Sequence, residues 1–423
     1  MTTLLAQDYF SDFDILKNPW PWFEAVRALG PVARITGHDI LVVTGFDEAI
    51  AILRDAHNFS SVIAPQGPTL PLPFVPEGDD IAEELESRRQ QFGGGELLVA
   101  YDDRQHQASR ALLNRLFTPS RLRANEDYMW NKAGEMLAPA VAAGSVDMMK
   151  TIATRFVTIV IADLLGVPEG DREQFMDVIA NGPPAGSIAD KDQPFQAATL
   201  EYLGRHFFGY IVDRQANPRD DVLSELAGAT YADGSKPDLL EIVRLTIFLF
   251  AAGQDTSAKL IGNALRFLVD TPGLQDRLRA DPGLIPDFIE EVLRLEGSTK
   301  ATFRVCRRTT TVAGHEIKAG QRIMVGLAAA NRDPRRWDDP LAFRTDRPKL
   351  KEHLAFGRGA HVCAGAPLAR TEVRVMLERL LELTSDIRIS AAHHGPPGSR
   401  DFDYEPSFII RGLESLHLEL DPA

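Results

Sequence analysis

A glycine-rich stretch around Cys363, one of only two cysteines in the chain, constrains the fold more than any other feature. A single cysteine is more often an inert buried side chain than a ligand. Here the flanking Gly357, Gly359 and Gly365 predict a backbone that turns tightly and passes close to a flat group. A helix is predicted to begin within residues 364–367, where its free N–H groups would point back at the sulfur and lower the thiol pKa.

This stretch resembles the heme-binding loop of the cytochrome P-450 family, whose pattern is Phe-x-x-Gly-x-x-x-Cys-x-Gly. The matching residues are Phe356, Gly359, Cys363 and Gly365. With 22 Phe, 32 Gly and 2 Cys in 423 residues, a chance match has odds on the order of one in a thousand. The resemblance implies heme b (iron protoporphyrin IX) as the cofactor and Cys363 as the iron ligand, with Phe356 shielding the sulfur. A cysteinate in this position favours O–O cleavage of bound dioxygen.

His361 offers an alternative iron ligand, because imidazole is the commoner heme ligand in other proteins. The resemblance implies a different role for it, a hydrogen bond to a heme propionate. His106 and Arg110 lie four residues apart, which places them on one face of a helix, and resemble the family's His-x-x-x-Arg pair. Arg304 matches a third propionate-binding residue. A surface salt bridge is the alternative for each of these residues singly.

Residues 238–269 form the longest predicted helix, and its pattern is interrupted in the middle. Gly253 weakens a helix interior by about 1 kcal/mol relative to alanine. Asp255 and Thr256 compete with the helix for backbone hydrogen bonds. We therefore expect a local distortion, with a groove at Ala252 and Gly253 that leaves room for dioxygen.

Residues 251–256 of the same helix resemble the family's Ala/Gly-Gly-x-Asp/Glu-Thr segment. The resemblance implies that Thr256 hydrogen-bonds dioxygen and that Asp255 relays the two protons of the reaction. A helix with a polar stripe facing solvent is the alternative. It is disfavoured because residues 248–250 make the helix apolar nearly all round.

A Glu-x-x-Arg pair, Glu291 and Arg294, lies on a second predicted helix at residues 285–296. Such spacing alone is common in surface ion pairs worth well under about 1 kcal/mol. In the family the pair is buried and joined by a later basic residue, for which Arg347 is the match. We expect these three residues to form a structural network on the thiolate side.

Residues facing the substrate are proposed from their positions on the long helix, before Arg304 and in the last loop. They are Phe248, Ala251, Ala252, Thr299, Lys300, Ala301, Ile409 and Ile410. This largely apolar set predicts a hydrophobic small molecule as substrate. Lys300 is the exception, expected to pair with a carboxylate or to point to solvent. Terpenoid, aromatic, steroid and fatty-acid substrates remain open, and a terpenoid-like compound is favoured only by analogy. Residues 61–98 would close over the pocket as a lid.

Composition argues against nucleic-acid and membrane partners. The net charge of −14 repels phosphate backbones. Residues 1–10 contain no apolar run typical of a signal peptide, and the most apolar stretch, residues 245–252, is too short to span a bilayer. Two cysteines are too few for a disulfide framework. We expect a cytoplasmic monomer.

The sequence contains no flavin or nicotinamide fingerprint and no cysteine set for an iron–sulfur cluster. Residues 1–423 are therefore predicted to form one cytochrome P-450 domain without a fused reductase or ferredoxin. Electrons are expected from a separate ferredoxin and its reductase, so that NAD(P)H acts only indirectly. An arginine patch on the acidic protein is the expected docking surface for ferredoxin. Its members are Arg110, Arg115, Arg121, Arg123 and Arg358.

The expected fold is mainly α with small β-sheets: a triangular, helix-rich prism with heme between the long central helix and the cysteine loop. The remaining elements are a hairpin at 31–44, helices across 101–181 interrupted at Pro119, Pro139 and Gly144, strands at 302–326, a helix at 366–384, strand and turn at 385–423, and irregular stretches at 61–96 and 181–194.

The combined pattern predicts a heme-thiolate monooxygenase that hydroxylates a C–H bond. A peroxide-driven oxidase of the same fold is a rival, disfavoured because such relatives commonly lack the acid–threonine pair. A non-enzymatic heme sensor or carrier is a second rival, which would need neither proton relay nor electron partner. A helical protein without a cofactor would require every one of these matches to be coincidence.

Overall fold

The longest helix of the protein runs from Leu239 to Asp270 and is buried along most of its length. This computed structural model describes residues 2–35, 37–114, 118–180 and 195–423. Its helices are α1 (Thr2–Leu5), α2 (Phe13–Lys17), α3 (Trp20–Arg27), α4 (Phe46–Arg54), α5 (Ala82–Ser87), α6 (Asp103–Asn114), α7 (Pro119–Ala143), α8 (Thr154–Leu165), α9 (Glu169–Ala180), α10 (Phe195–Ala216), α11 (Val222–Ala227), α12 (Leu239–Asp270), α13 (Leu274–Ala280), α14 (Ile285–Glu296), α15 (Leu327–Ala330), α16 (Ala366–Leu383) and α17 (Ala391–His394).

The strands are short. They are β1 (Val32–Ile35), β2 (Ile40–Val43), β3 (Phe59–Ser60), β4 (Ser145–Asp147), β5 (Thr302–Cys306), β6 (Thr310–Val312), β7 (His315–Ile317), β8 (Arg322–Val325), β9 (Thr384–Ile389) and β10 (His417–Pro422). The order of the largest sheet is β1–β2–β8–β5–β3, with β2 and β8 parallel and its other neighbours antiparallel. β4, β10 and β9 form a second sheet, and β6 pairs with β7.

The helix α12 organises the helical part of the protein. It packs against α8, α10, α14 and α16, and its inward residues, including Phe250 and Leu265, belong to the largest hydrophobic cluster. Burying one such side chain stabilises a fold by about 1.5–3 kcal/mol. The predicted helix over 238–269 is confirmed, although the Asp238 side chain makes no capping hydrogen bond. Among the described residues, no helix combines the length and the apolar character needed to cross a bilayer.

The fold class predicted from the sequence, mainly α with small sheets, is confirmed, and so are several of its elements. The hairpin at 31–44 forms with its turn at residues 37–39. The helix at 285–296 has the predicted bounds, and that at 366–384 ends one residue early. The predicted loop at 181–194 lies outside the described residues.

The predicted interruption at Pro139 is wrong, because α7 continues through it to Ala143. A proline in a helix removes one N–H donor and leaves the carbonyl four residues earlier, that of Glu135, without its partner. Glu135 lies on the exposed side of α7. The helix also packs along α16, and this tertiary packing overrides the local cost of the proline.

The irregular stretch at 61–96 contains one short helix, α5, and a 3-10 turn at Arg89–Gln91. The Arg89 side chain is buried and forms an ion pair with Asp102 at 3.1 Å. Asp102 also accepts hydrogen bonds from the Ser60 hydroxyl (2.5 Å) and the Ser61 amide (2.9 Å). These contacts fix the base of the stretch beside the start of α6.

The predicted network around Glu291 is present and fully buried. Both oxygens of Glu291 accept hydrogen bonds from Arg294, each at 2.8 Å, and Oε1 also accepts from Arg347 at 2.9 Å. Arg294 and Glu291 have no exposed side-chain area, and Arg347 has 3%. The remaining guanidinium donors bind backbone carbonyls, including those of Asn331 and Ala342. The network therefore ties α14 to the segment that precedes the cysteine loop.

We predict that Arg294→Met lowers the free energy of unfolding by about 3–5 kcal/mol, because it removes one partner of a buried ion pair. Equilibrium urea unfolding measures the change. The matched control is Arg388→Met, whose exposed ion pairs with Asp386 and Asp421 are each worth about 1 kcal/mol or less. Equal losses in the two variants would contradict a structural role for the network.

Candidate active site

The cysteine loop connects the 3-10 turn at Gly359–His361 to the start of α16. The Cys363 amide donates a hydrogen bond to the Phe356 carbonyl at 2.9 Å, which closes the loop. Gly357 and Gly359 have φ values of 69° and 74°, a region that favours glycine. A Cβ at Gly359 would also overlap the backbone of α4. These two positions therefore require glycine for the reasons that the sequence predicts.

Gly365 differs from the other two glycines. It is the N-cap of α16 with a φ of −81°, which any residue can adopt. A Cβ there would lie 3.9 Å from the Cys363 sulfur, an ordinary contact. The expectation of a tight glycine turn is thus wrong for Gly365, whose small size instead leaves room beside the sulfur.

The Cys363 side chain is exposed, although the surrounding protein atoms still desolvate its thiol. Burial is the largest influence and raises the pKa of the Cys363 thiol. The Gly365 amide, the Arg110 guanidinium and the Ala366 amide favour the thiolate, as expected, but burial outweighs them. The amides at the helix start therefore lower the pKa of this thiol as expected, and burial reverses the net direction. Coordination to a metal ion would deprotonate the sulfur.

Four nitrogen-bearing side chains gather beside this loop. They are His106 and Arg110 from α6, Arg304 from β5 and His361 from the loop itself. The rings of His106 and His361 are 4.0 Å apart between centroids. Arg110 donates to the Val362 carbonyl at 2.6 Å. The sequence predicts this group, and the structure brings its members together.

The group is rich in positive charge that the described residues do not neutralise. Burial lowers the pKa of Arg304 to about 10. Burial, followed by the charges of Arg304 and His106, lowers the pKa of His361 to about 2. Asp102 is the carboxylate whose charge acts on His106 and Arg304, and it already forms an ion pair with Arg89. None of the four groups forms an ion pair within the described residues.

A donor set of this kind, with His106 and Arg304 buried and Arg110 and His361 half-buried, fits a ligand that carries negative charge. Heme b has two propionates, and its iron accepts a cysteine thiolate. Cys363 lies on the same loop as His361, and Arg110 favours its thiolate form. The residues present therefore fit heme b.

The expected distortion of α12 does not break the helix, which continues from Leu239 to Asp270. The Thr256 hydroxyl donates to the Ala252 carbonyl at 3.0 Å, one turn earlier. Such a bond to the preceding turn slightly destabilises and bends a helix. A Cβ at Gly253 would make only an ordinary contact with Ile161 at 3.9 Å, so packing within the protein does not require this glycine.

The segment of α12 around Thr256 has an accessible face on a helix that is otherwise largely buried. Ala251 and Ala252 are exposed, while Asp255 and Thr256 are half-buried. Burial raises the pKa of Asp255, against the opposing charge of Lys259. The helix therefore presents a polar acid and a hydroxyl beside two small residues.

The chain after α14 connects this face of α12 to the basic group. The Ser298 hydroxyl donates to the Thr256 carbonyl at 2.6 Å. Six residues later, Arg304 lies close enough to His361 to lower its pKa. The residues between them thus run from the oxygen-binding segment predicted on α12 to the cysteine loop.

Two of the proposed substrate segments do meet. Thr299 pairs with Ile410 in an isolated β-bridge, and the Lys300 amide donates to the Ile409 carbonyl at 2.7 Å. Phe248, Thr299 and Ile409 are half-buried. Ala301 and Ile410 are 1% and 3% exposed, so their side chains pack in the interior rather than line an open pocket.

Within the described part of the chain, Lys300 neither pairs with a carboxylate nor points to solvent, so both expectations for it are wrong. The side chain is fully buried, and its ammonium donates to the Leu16 carbonyl at 2.9 Å. Burial, with a smaller effect of Arg411, lowers its pKa well below the usual lysine value. The ammonium therefore fastens the N-terminal segment to the sheet and does not face a substrate.

The predicted arginine patch is only partly a free surface. Arg110 turns inward to the cysteine loop, and Arg121 forms an ion pair with Glu225. Arg115 lies outside the described residues. Arg123 is exposed, and Arg358 is half-buried. Arg54, which the sequence analysis missed, is exposed and, after burial, is the next influence that lowers the pKa of Arg358.

Three buried ionisable residues escaped the sequence analysis. Lys259 forms an ion pair with Glu405 from the last loop, and both lie near Asp255. Glu372 on α16 is 1% exposed, and neither of its oxygens has a hydrogen-bond partner in the described part of the chain. Burial raises the pKa of Glu372 to about 8, against a smaller effect of Ser257. Lys259 and Glu405 are distant in sequence, so no local pattern marked them.

Related proteins and solved structures match this chain along nearly its whole length. The family model described as Cytochrome P450 matches residues 283–383. Cytochrome P450 144 of Mycobacterium tuberculosis is 32% identical over 421 residues, covering 99% of this chain and 92% of that protein. The substrate-free structure of Mycobacterium marinum cytochrome P450 CYP150A6 is 45% identical with a TM-score of 0.92, covering 99% of this chain and 100% of that chain. CYP109E1 from Bacillus megaterium, in complex with testosterone, is 28% identical with a TM-score of 0.78, covering 95% and 99%.

We predict that Glu372→Gln stabilises the protein increasingly as the pH rises from 5 to 8. The folded-state pKa of Glu372 lies above its value in the unfolded chain, so ionisation in the unfolded chain favours unfolding across this window. The difference should reach about 3 kcal/mol near pH 8. Urea unfolding at several pH values measures it. Glu382→Gln, an exposed position on the same helix, is the control, and a pH-independent difference for Glu372→Gln would contradict the prediction.

Proposed function

We propose that this chain, which belongs to the cytochrome P450 family, uses its monooxygenase activity to hydroxylate a C–H bond of a hydrophobic small molecule. Residues 1–423 would act as one catalytic domain. The observation that carries the proposal is the position of Cys363 next to an unneutralised group of buried imidazole and guanidinium side chains. One oxygen atom of dioxygen enters the substrate, and the other leaves as water.

Bound heme supplies the activation of dioxygen, and the chain supplies its binding and surroundings. Cys363 would hold the iron, while His106, Arg110, Arg304 and His361 would bind the propionates. The close contact between the His361 and His106 rings, whose planes are tilted by 41°, favours this role over iron ligation.

Phe356 and the small residues around Cys363 would protect the sulfur. The Phe356 carbonyl accepts the Cys363 amide, and the Arg370 guanidinium lies over the Phe356 ring at 4.6 Å from its centroid. Gly357 and Gly359 keep the loop tightly turned.

Thr256 and Asp255 would deliver protons during the reaction. The Thr256 hydroxyl binds the Ala252 carbonyl, and one oxygen of Asp255 is buried without a hydrogen-bond partner among the described residues. A hydroxyl and an acid on one accessible face can donate and relay protons to oxygen as charge develops. Ala252 and Gly253 would leave the space that dioxygen needs.

The substrate is proposed to be a hydrophobic molecule of the terpenoid, aromatic or steroid type. Phe248, Ala251, Thr299 and Ile409 supply accessible and largely apolar surface. The relative CYP109E1 was solved with testosterone, which supports a compact polycyclic substrate as one member of this range. Residues 61–98, fixed at their base by Arg89 and Asp102, would close over it.

Electrons are proposed to come from a separate ferredoxin, which NAD(P)H reduces through a ferredoxin reductase. The exposed guanidinium groups of Arg54 and Arg123, with Arg358, offer positive charge that complements an acidic ferredoxin. Arg358→Glu should weaken ferredoxin-dependent reduction at low salt, and the difference from wild type should shrink as salt rises. Unchanged ferredoxin dependence would place the docking surface elsewhere.

Thr256→Ala tests the monooxygenase proposal. We predict that product formed per dioxygen consumed falls about tenfold and that hydrogen peroxide is released instead, because a proton donor near oxygen is lost. Turnover supported by added peroxide should be largely retained. Product yield, oxygen uptake and peroxide release measure the outcome.

The matched control is Thr246→Ala on the same helix. The Thr246 hydroxyl also donates to a carbonyl one turn earlier, that of Ile242 at 2.8 Å, but it is fully buried. This variant should keep the wild-type coupling. A wild-type protein that turns over only with peroxide would favour the peroxide-driven alternative, and one that binds heme without any turnover would favour a sensor or carrier.

A further inference from the structure

Lys259 places one buried ammonium between two carboxylates from different parts of the chain. It lies one turn beyond Asp255 on α12, with its Nζ 4.0 Å from Asp255 Oδ1. It also forms an ion pair with Glu405 in the loop before β10 and donates to the Leu413 carbonyl at 3.2 Å. Its side chain is 7% exposed. The ammonium therefore joins the acid on the accessible face of α12 to the C-terminal loop.

The backbone of that loop is shaped around the lysine. A Cβ at Gly412 would overlap the Cβ, Cγ and Cδ atoms of Lys259. Gly412 also accepts a hydrogen bond from the Glu405 amide at 3.1 Å, which holds the loop in place. The lysine stem thus fits a groove that only glycine permits, and this fit fixes the ammonium between its partners.

Both carboxylates retain an unused oxygen. Asp255 Oδ2 and Glu405 Oε2 are buried without a hydrogen-bond partner among the described residues. Burial raises the pKa of Glu405 to about 7, and the Lys259 charge opposes this rise. The charge of Asp255 raises the pKa of Glu405 further, so the protonation of the two carboxylates is electrostatically linked. Glu405 can therefore gain and lose a proton near neutral pH.

Ionisable residues near Lys259 and Glu405 extend to the protein surface. Glu414 is exposed and near Lys259, and burial together with the Asp403 charge raises its pKa. Asp403 forms an ion pair with Lys17 at 2.5 Å. Both of these residues line a cavity of about 860 Å³ that is open to solvent. A line of ionisable groups therefore runs from solvent to Asp255.

We infer that Glu405 and Lys259 form the inner part of a route that supplies protons from the surface at Glu414 to Asp255. The inference rests on the proposed function, in which Asp255 passes protons toward dioxygen. For each proton that leaves Asp255, Lys259 gives one to the Asp255 carboxylate, Glu405 gives one to the lysine amine, and solvent returns one to Glu405 through Glu414. The net result is one proton moved, with the charges of all these groups restored.

The charged groups that act on Glu405 come from α12 and from its own loop. Lys259 and Asp255 face it from α12, and Glu414 faces it from its own loop. Lys259 would act as a proton carrier, since its ammonium forms an ion pair with Glu405 and lies near Asp255. The 4.0 Å separation from Asp255 is within reach of a side-chain rotation.

The link can be tested in the heme-loaded protein without any turnover. Infrared difference spectra, recorded as the pH is varied, detect the protonated carboxyl group of Glu405 as a band that Glu405→Gln removes. We expect this band to titrate near pH 7 and its midpoint to fall by about half a unit or more in Asp255→Asn, because a neighbouring negative charge is lost. A midpoint that Asp255→Asn leaves unmoved, or a Glu405 that is ionised throughout, would overturn the inference.

Kinetics provide the second test. We expect Glu405→Gln and Lys259→Met to lower product formation with dioxygen and the electron partners about tenfold and to increase the solvent deuterium isotope effect. Turnover with added peroxide, which carries its own protons, should remain near the wild-type rate. Lys259→Arg keeps the positive charge but cannot release a proton, so it should not restore the loss. Equal losses with dioxygen and with peroxide would indicate a merely structural role and would contradict the route.

Glu419→Gln is the matched control, because Glu419 is an exposed glutamate of β10 whose ion pair with Arg388 is 3.7 Å long. It should change neither the infrared titration nor the kinetics. If the wild-type protein forms no product with dioxygen, the proposed function fails, while the infrared titration still decides whether Asp255 and Glu405 are linked.

Discussion

The accumulation of buried positive charge beside the cysteine loop is the constraint on which the rest of this structure depends. Burial disfavours the charged forms of Arg304 and Arg110, and burial together with the arginine charges disfavours those of His106 and His361. A dianionic ligand removes this cost, and the propionates of heme b provide it. The helix α6, the strand β5 and the cysteine loop bring these side chains to one place. The Glu291 network then holds the thiolate side of the same region rigid.

The central helix combines two demands that oppose each other. It must be apolar to pack against its neighbouring helices, and it must present an acid and a hydroxyl at one accessible face. Gly253, Asp255 and Thr256 are poor helix formers, yet α12 remains continuous because packing on its other sides outweighs their local cost. Buried contacts elsewhere on the helix thus compensate for a weakened segment that carries the chemistry.

Local patterns in the sequence predicted the elements and the principal site residues. The cysteine loop, the His106–Arg110 pair and the Glu291–Arg294 pair have short spacings, while Arg347 was assigned from the family resemblance, and the structure brings each set together. Features that depend on the environment escaped prediction. The pKa of Cys363 is set mainly by burial. The Lys300 ammonium donates a hydrogen bond to the Leu16 carbonyl, and Lys259 forms an ion pair with Glu405, which is distant in sequence. Burial and contacts between distant segments are properties of the packed chain, which residue spacing does not encode.

The most direct test is the carbon monoxide difference spectrum of the reduced protein, compared between wild type, Cys363→Ser and His361→Ala. Cys363 as iron ligand predicts the red-shifted Soret band of a thiolate-ligated heme in wild type and in His361→Ala, and its loss in Cys363→Ser. A band typical of imidazole ligation that persists in Cys363→Ser and disappears in His361→Ala would contradict the assignment.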